Sequence, residues 1–163
     1  MVFTGTYEHA IDAKHRLAIP SDIRRELQRG LGTGEGDAVV LYCVLGGADV
    51  LCLYTEPGYQ RLADELRTSD VDPAELLEYE EVFYANSKRI EMDSAGRVRL
   101  PDHLLKQTGL AGEIVLAGAG DHLKIRDRAA WASRLDHVLK DRPNLLVNPR
   151  MMLGRKTNKP SAD

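Results

Sequence analysis

The chain has 163 residues, of which 43% are hydrophobic and 29% charged, and a formal net charge of −3. This length and composition are those of an ordinary globular protein and exclude a fibrous class. No apolar stretch approaches the roughly 20 residues that span a bilayer, and the first residues lack the basic and apolar blocks of a signal peptide. We therefore expect a cytoplasmic protein with no membrane partner.

One charged segment occurs twice in the chain. The run Ile11-Asp-Ala-Lys-His-Arg-Leu-Ala-Ile-Pro20 returns as Met92-Asp-Ser-Ala-Gly-Arg-Val-Arg-Leu-Pro101. The two copies align without a gap, because each has Asp, three residues, Arg, an apolar alternation and then Pro. An internal repeat constrains fold, symmetry and binding geometry together, so it predicts two equivalent structural units.

Each copy predicts a strand, a tight turn at the Asp-to-Arg segment and a returning strand. The four predicted strands cover 7–11, 17–19, 88–92 and 98–100. Pro20 and Pro101 then end the strands, and a short helix is expected after each. At these helices Ser21 and Asp102 are predicted to accept hydrogen bonds from free backbone amides.

A longer strand pair and an amphipathic helix complete each copy. The pairs are predicted over 38–45 with 50–54 and over 113–117 with 122–126. The helices that follow are predicted to be anchored by apolar residues at helical spacing, which are Tyr59, Leu62 and Leu66 in the first copy and Trp131, Leu135 and Val138 in the second. Together with the short strands, this predicts a mainly β protein with short α-helices.

Two cysteines flank the predicted turn at residues 46–49. A hairpin that turns symmetrically there would set Cys43 and Cys52 opposite each other. In a reducing cytoplasm such a pair is more typical of two small buried hydrophobic residues than of a disulfide, and two thiols alone make a poor zinc site.

Composition divides the chain into four predicted segments. These are a first repeat at 1–69, an acidic helical linker at 70–86, a second repeat at 87–142 and a flexible basic tail at 143–163. The linker begins with a stretch that contains six acidic residues and no Lys or Arg, and the tail combines prolines with Arg and Lys.

Both repeats are locally basic although the whole chain is acidic. A hairpin two strands wide fits the major groove of DNA, Arg can pair with guanine in bidentate fashion, and basic side chains contact phosphate without sequence choice. The candidate DNA-binding residues are Lys14, His15, Arg16, Ser94, Gly96, Arg97 and Arg99. Because phosphate repels a carboxylate, Asp12 and Asp93 are instead expected to structure their loops by accepting backbone or Arg hydrogen bonds.

The order and spacing of these motifs resemble the MraZ family, a branch of the AbrB-like swapped-hairpin fold. The resemblance covers about residues 3–138 and depends on Phe3-x-Gly5-x-Tyr7, the segment from Asp12 to Pro20, Phe83-Tyr84-Ala85 and Asp93-Ser-Ala-Gly-Arg97. It implies two swapped-hairpin repeats that form an intrachain pseudo-dimeric β-barrel. It also implies a nucleoid-associated transcriptional regulator of the division and cell wall gene cluster, which binds repeated double-stranded sites upstream of its own gene as a homo-oligomeric ring.

The chain departs from the family pattern at the tips of its loops. The family's paired Asp-x-x-x-Arg positions fall on Asp12 with Arg16 and on Asp93 with Arg97, and its basic loop position falls on Lys14. His15 stands where the family usually has glycine, so a residue with a side chain must adopt a conformation that glycine takes cheaply. The second loop keeps Gly96 but lacks a basic pair, so Arg97 and Arg99 must supply its charge.

Other interpretations of the sequence remain open. Asp and Arg could simply close each hairpin by a salt bridge, with the Arg pointing away from any ligand. A ring-forming, antitoxin-like protein-interaction module would depend on apolar anchors and tolerate salt, whereas DNA binding weakens steeply as salt rises. An enzyme is not expected, and neither is a cofactor, a metal or a small-molecule substrate, because no nucleophile elbow or metal-ligand spacing is present.

Overall fold

The computed structural model describes residues 1–34 and 36–153. Met1–Arg128 form one compact unit, and the described residues from Ala129 to Leu153 belong to a second. The strands are β1 (Thr6–Ala10), β2 (Arg16–Ala18), β3 (Val40–Gly47), β4 (Val50–Thr55), β5 (Lys88–Glu91), β6 (Arg97–Arg99), β7 (Glu113–Gly118) and β8 (His122–Asp127). The helices are α1 (Ser21–Leu31), α2 (Glu56–Arg67), α3 (Pro73–Asn86), α4 (Asp102–Thr108), α5 (Arg128–Asp141) and α6 (Pro149–Leu153).

The strands form two antiparallel sheets. The larger has the order β1-β7-β8-β4-β3-β5, and the smaller is a ribbon of β2 and β6. The predicted mainly β architecture with short helices is therefore confirmed. In the described chain β1 and β5 are the first and last strands of the larger sheet, so its strand order does not by itself show the closed barrel that was expected.

The short strands of each repeat form their main ladders with other strands and not with each other. β1 pairs with β7, β5 pairs with β3, and β2 pairs with β6 from the other repeat. Locally, the turns are closed by hydrogen bonds from Asp12 N–H to Arg16 O and from Asp93 N–H to Arg97 O, and an isolated antiparallel bridge joins Met92 to Val98 in the second repeat. The predicted tight turns are thus confirmed in position, but the main strand ladders are not local, because the exchange lets both Leu17 and Val98 become fully buried.

The inner core takes side chains from both repeats, which explains why they interlock. It includes Leu17 and Leu27 from the first repeat and Val98 and Leu104 from the second, all with no exposed surface. Burying an aliphatic side chain of this size contributes about 1.5–3 kcal/mol to the stability of the fold. Separating the two repeats would expose much of this core to water.

A second apolar cluster lies outside the inner core, and we call it the outer cluster. It consists of Val44, Val50, Cys52 and Phe83, with Tyr59, Leu62 and Leu66 of α2 packed against it. The predicted anchors of α2 are therefore confirmed. The predicted helix α5 is present, but none of its residues is fully buried: Trp131 and Val138 are half-buried and Leu135 is 39% exposed.

The two thiols lie on opposite faces of the β3–β4 pair. A register shift between Leu45 and Gly47 places Cys52 opposite Val44, while Cys43 lies opposite Leu53. The prediction that the thiols face each other is wrong, because this irregularity adds one residue to the β3 side of the turn. Cys43 belongs to the inner core and Cys52 to the outer cluster, and both are free.

The helices after the two prolines begin one residue earlier than the capping prediction requires. Pro20 and Pro101 occupy the N-cap positions, so Ser21 and Asp102 are the first helical residues, and neither helix has a side-chain cap hydrogen bond. In the segment predicted as a linker, Asp72 caps α3 by accepting from the backbone N–H groups of Ala74 and Glu75. Part of the predicted tail, residues 154–163, lies outside the described residues.

Candidate nucleic-acid interface

The ribbon of β2 and β6 brings the repeated arginines onto one face. Its register pairs Arg16 with Arg99, Leu17 with Val98 and Ala18 with Arg97. Successive residues of a strand point to opposite faces, and Leu17 and Val98 are fully buried on the inner face. Arg16, Arg97 and Arg99 therefore lie together on the outer face, with one strand of the ribbon from each repeat.

Asp12 organises the first loop. Its Oδ1 accepts hydrogen bonds from the backbone N–H groups of Lys14 and Arg16, each at 2.9 Å, and its Oδ2 accepts from Arg16 Nε at 2.8 Å. The backbone N–H of Arg16 is the largest cause that holds the pKa of Asp12 below its ordinary value of 3.8, and the bonds from the Arg16 guanidinium and Lys14 add to it. The carboxylate therefore serves as a fixed, ionised acceptor inside the turn.

Asp93 does the same in the second loop. Its Oδ1 accepts from the backbone N–H groups of Ala95 and Arg97 at 2.9 Å, and its Oδ2 accepts from Arg97 Nε at 3.0 Å. The backbone N–H of Arg97 is again the first cause of a lowered pKa. The two loops thus share one hydrogen-bonding scheme, as the repeated Asp-x-x-x-Arg spacing predicts.

The Asp–Arg pairs do not prevent the arginines from facing outward. Each pair uses Nε of its Arg, and a guanidinium has four further N–H donors. The side chains of Arg16 and Arg97 are 31% and 36% exposed. The salt bridge of the alternative interpretation is present, but it holds the stem of each Arg and leaves most of its donors available to another group.

Each loop tip is tied to the other repeat. His15 has φ +59 and Gly96 has φ +74, so the two equivalent positions share the left-handed conformation. The His15 carbonyl accepts from Leu100 N–H at 2.8 Å, and the Gly96 carbonyl accepts from Ile19 N–H at 2.9 Å. These reciprocal bonds position each tip where the other repeat enters its helix.

The His15 ring pairs with α4. His15 Nδ1 lies 2.6 Å from Asp102 Oδ1, and Arg99 Nη2 lies 3.7 Å from the same oxygen. The bond to His15 is the largest cause that lowers the pKa of Asp102. Sequence reasoning assigned Asp102 to helix capping and missed this contact, because it joins residues that are distant in the chain.

The remaining candidate residues differ in exposure. Lys14 and Ser94 are exposed at the loop tips, whereas Gly96 is buried. The side chain of Arg24, in α1, packs over Gly96. A Cβ added at Gly96 would lie 2.5 Å from Arg24 Nη1. The sequence indicated Arg24 only as a helix residue, so its position at the second loop is a finding of the structure.

Within residues 1–34 and 36–153, no group of three or more His, Cys, Asp or Glu side chains could hold a metal ion. None of the helices in that part of the chain combines the length and the apolar character that crossing a membrane requires.

Known proteins resemble this chain over most of its length. The family model described as "MraZ protein, putative antitoxin-like" matches residues 2–77 and 83–142. A protein of Mycoplasmoides gallisepticum named "Transcriptional regulator MraZ" is 34% identical over 130 residues, which cover 80% of this chain and 84% of that protein. Proteins of the same name from Salinispora arenicola and Heliobacterium modesticaldum are 33% and 30% identical, over 82% and 80% of this chain and 87% and 85% of their own lengths. Because these matches include both repeats, the chain belongs to the MraZ family.

Proposed function

We propose that this protein is a transcriptional regulator that binds repeated sites upstream of its own gene, in the division and cell wall gene cluster, through its two loops. The observation that carries the proposal is the cluster of Arg16, Arg97 and Arg99 on the outer face of the β2–β6 ribbon. The name of its relatives, Transcriptional regulator MraZ, supports the same class of function. Such a regulator acts on the chromosome, so the proposal includes a cytoplasmic, nucleoid-associated location.

The geometry supports binding in the major groove. A two-stranded β-ribbon fits that groove, and a guanidinium can pair with the O6 and N7 atoms of guanine. The Asp–Arg bonds fix the stems of Arg16 and Arg97 before any ligand arrives, which lowers the entropy lost on binding. Lys14 is exposed at the loop tip, and in this proposal it contacts phosphate, where its charge adds affinity without sequence choice.

The proposal includes assembly into a homo-oligomeric ring. Its support in the structure is an apolar surface on α3, where Leu77, Tyr79 and Val82 are 59%, 51% and 59% exposed. Covering such side chains with another copy would remove them from water. A ring presents many loops to one DNA molecule, so modest contacts at each loop sum through effective concentration on tandem sites.

Fluorescence anisotropy tests the proposal. The duplex from upstream of the protein's gene is compared with a scrambled duplex at several salt concentrations, for wild type and Arg16→Ala/Arg97→Ala. The matched control is Arg25→Ala/Arg29→Ala, since both of these exposed arginines pair with carboxylates on their own helix. Light scattering shows whether each variant keeps the oligomeric state of the wild type.

Preference for the native duplex that disappears in the loop variant and survives in the control is the expected result. Binding should also weaken steeply as salt rises, because each neutralised phosphate releases counterions. Equal binding to both duplexes, or none, would reject a sequence-specific regulator. In that case the antitoxin-like interaction module would be the better interpretation, and the family description names that possibility.

A further inference from the structure

The two loops carry unequal charge although they share one backbone scheme. The first loop has Lys14 and His15 before its Arg, whereas the second has Ala95 and Gly96 at the same positions. The structure shows what occupies the space near the second tip. Arg24, which belongs to the first repeat, lies against it.

The contact between Arg24 and the second loop is close and extended. An ideal Cβ at Gly96 would lie 2.5 Å from Nη1, 2.7 Å from Cδ and 2.9 Å from Cζ of Arg24. Three atoms along one side chain meet this point, so the outer half of Arg24 lies over the glycine. This explains why Gly96 is buried while Ser94 and Ala95 beside it are exposed.

The first loop has the opposite arrangement. There the loop contributes the large residue, His15, and the helix contributes Leu105, which stands in α4 at the position of Arg24 in α1. Leu105 is 6% exposed and lines a small cavity together with His15. The large polar residue is therefore in the loop at the first tip (His15) and in the helix at the second tip (Arg24).

The charge of Arg24 lacks a protein partner in the part of the chain that the structure describes. Its Nε is buried without a hydrogen-bond acceptor, and no carboxylate among those residues forms an ion pair with it. The neighbouring Arg25, by contrast, pairs with Asp22. Partial burial of an unpaired guanidinium has a desolvation cost. An anion bound beside Arg24 would offset this cost.

We infer that Arg24 is a further DNA-contacting residue: it supplies to the second loop the cation that this loop lacks, and its guanidinium contacts a backbone phosphate of the bound duplex. The inference rests on the proposed function. It also gives Gly96 a second role, because any side chain there would displace Arg24 as well as strain the backbone.

The test measures affinity and its salt dependence on the full-length protein with the upstream duplex. Arg24→Met keeps an apolar stem of similar length and removes the charge, and Arg25→Met is the matched control on the same helix. We expect Arg24→Met to weaken binding roughly tenfold at low salt for each chain that engages the duplex, as for a lost charged hydrogen bond. The slope of log K against log salt should fall by about 0.9 for each engaged chain, because every such chain loses one phosphate contact.

Two conservative variants separate charge from packing. Arg24→Lys should keep the wild-type salt slope, and Arg25→Met should keep both slope and affinity. Arg24→Gln repeats the comparison if Arg24→Met does not fold, as judged by circular dichroism and light scattering. A neutral variant with wild-type affinity and slope would overturn the inference, and so would a failure of lysine to restore the slope. If the wild type binds no duplex at all, the proposed function fails and this inference fails with it.

Discussion

Replacing Gly96 by alanine imposes two separate costs at one position. A left-handed conformation such as φ +74 costs an alanine about 1–2 kcal/mol. The new Cβ would also force Arg24 out of its half-buried place, which adds about 1 kcal/mol, the lower end for overpacking. Gly109 has φ +69 with no heavy atom within 4 Å of the same ideal Cβ, so Gly109→Ala carries the backbone cost alone.

Urea denaturation at one fixed protein concentration measures both variants, because assembly would make stability depend on concentration. We expect a loss of about 2–3 kcal/mol for Gly96→Ala and about 1–2 kcal/mol for Gly109→Ala. In an Arg24→Ala background the excess at Gly96 should disappear. Equal losses in the two single variants, or an excess that survives without Arg24, would refute the reasoning.

Three further results are expected. Leu17→Ala should lower the free energy of unfolding by about 2–5 kcal/mol, since Leu17 is fully buried in the inner core; a loss below about 1 kcal/mol would contradict that packing. The pKa values of Asp12 and Asp93 are lowered in the folded state, so the unfolded chain binds more protons in acid, and stability should fall as pH drops below 3.8 through the native pKa values. Asp12→Asn/Asp93→Asn should flatten this acid limb in pH-dependent denaturation, whereas an unchanged limb would argue against the loop bonds. Burial raises the pKa of Cys43 to about 12 and of Cys52 to about 11, so iodoacetamide should label either thiol only after unfolding.

The positions of the strands were predictable because their signals are local. Alternation of apolar and polar residues, with Pro at the end, marks β2 and β6 to within one residue. Their partners were not predictable from the same signals. A three-residue strand with one buried side chain fits several neighbours, and only the shared burial of Leu17 and Val98 selects the exchange.

The candidate site likewise has contacts that local sequence signals predict and contacts between distant residues that they do not. The Asp-x-x-x-Arg spacing predicted the loop bonds because a side chain two to four residues away can reach its own backbone. The contacts of Asp102 with His15 and of Arg24 with Gly96 join different repeats, so no local pattern encodes them. The thiol pairing failed for a third reason, since a one-residue irregularity at the turn reverses which face a side chain takes.

The mixed origin of the β2–β6 ribbon has a consequence for how a new molecule matures. During synthesis β2 leaves the ribosome long before β6 exists, so Leu17 has no permanent cover until the second repeat arrives. Pairing between distant segments is slow compared with the formation of local turns. A nascent chain can therefore form its local turns while its outer arginine face is still unformed. In that interval the unpaired strand lacks its own partner, and we expect high protein concentration during translation to favour pairing with the equivalent strand of a neighbouring chain.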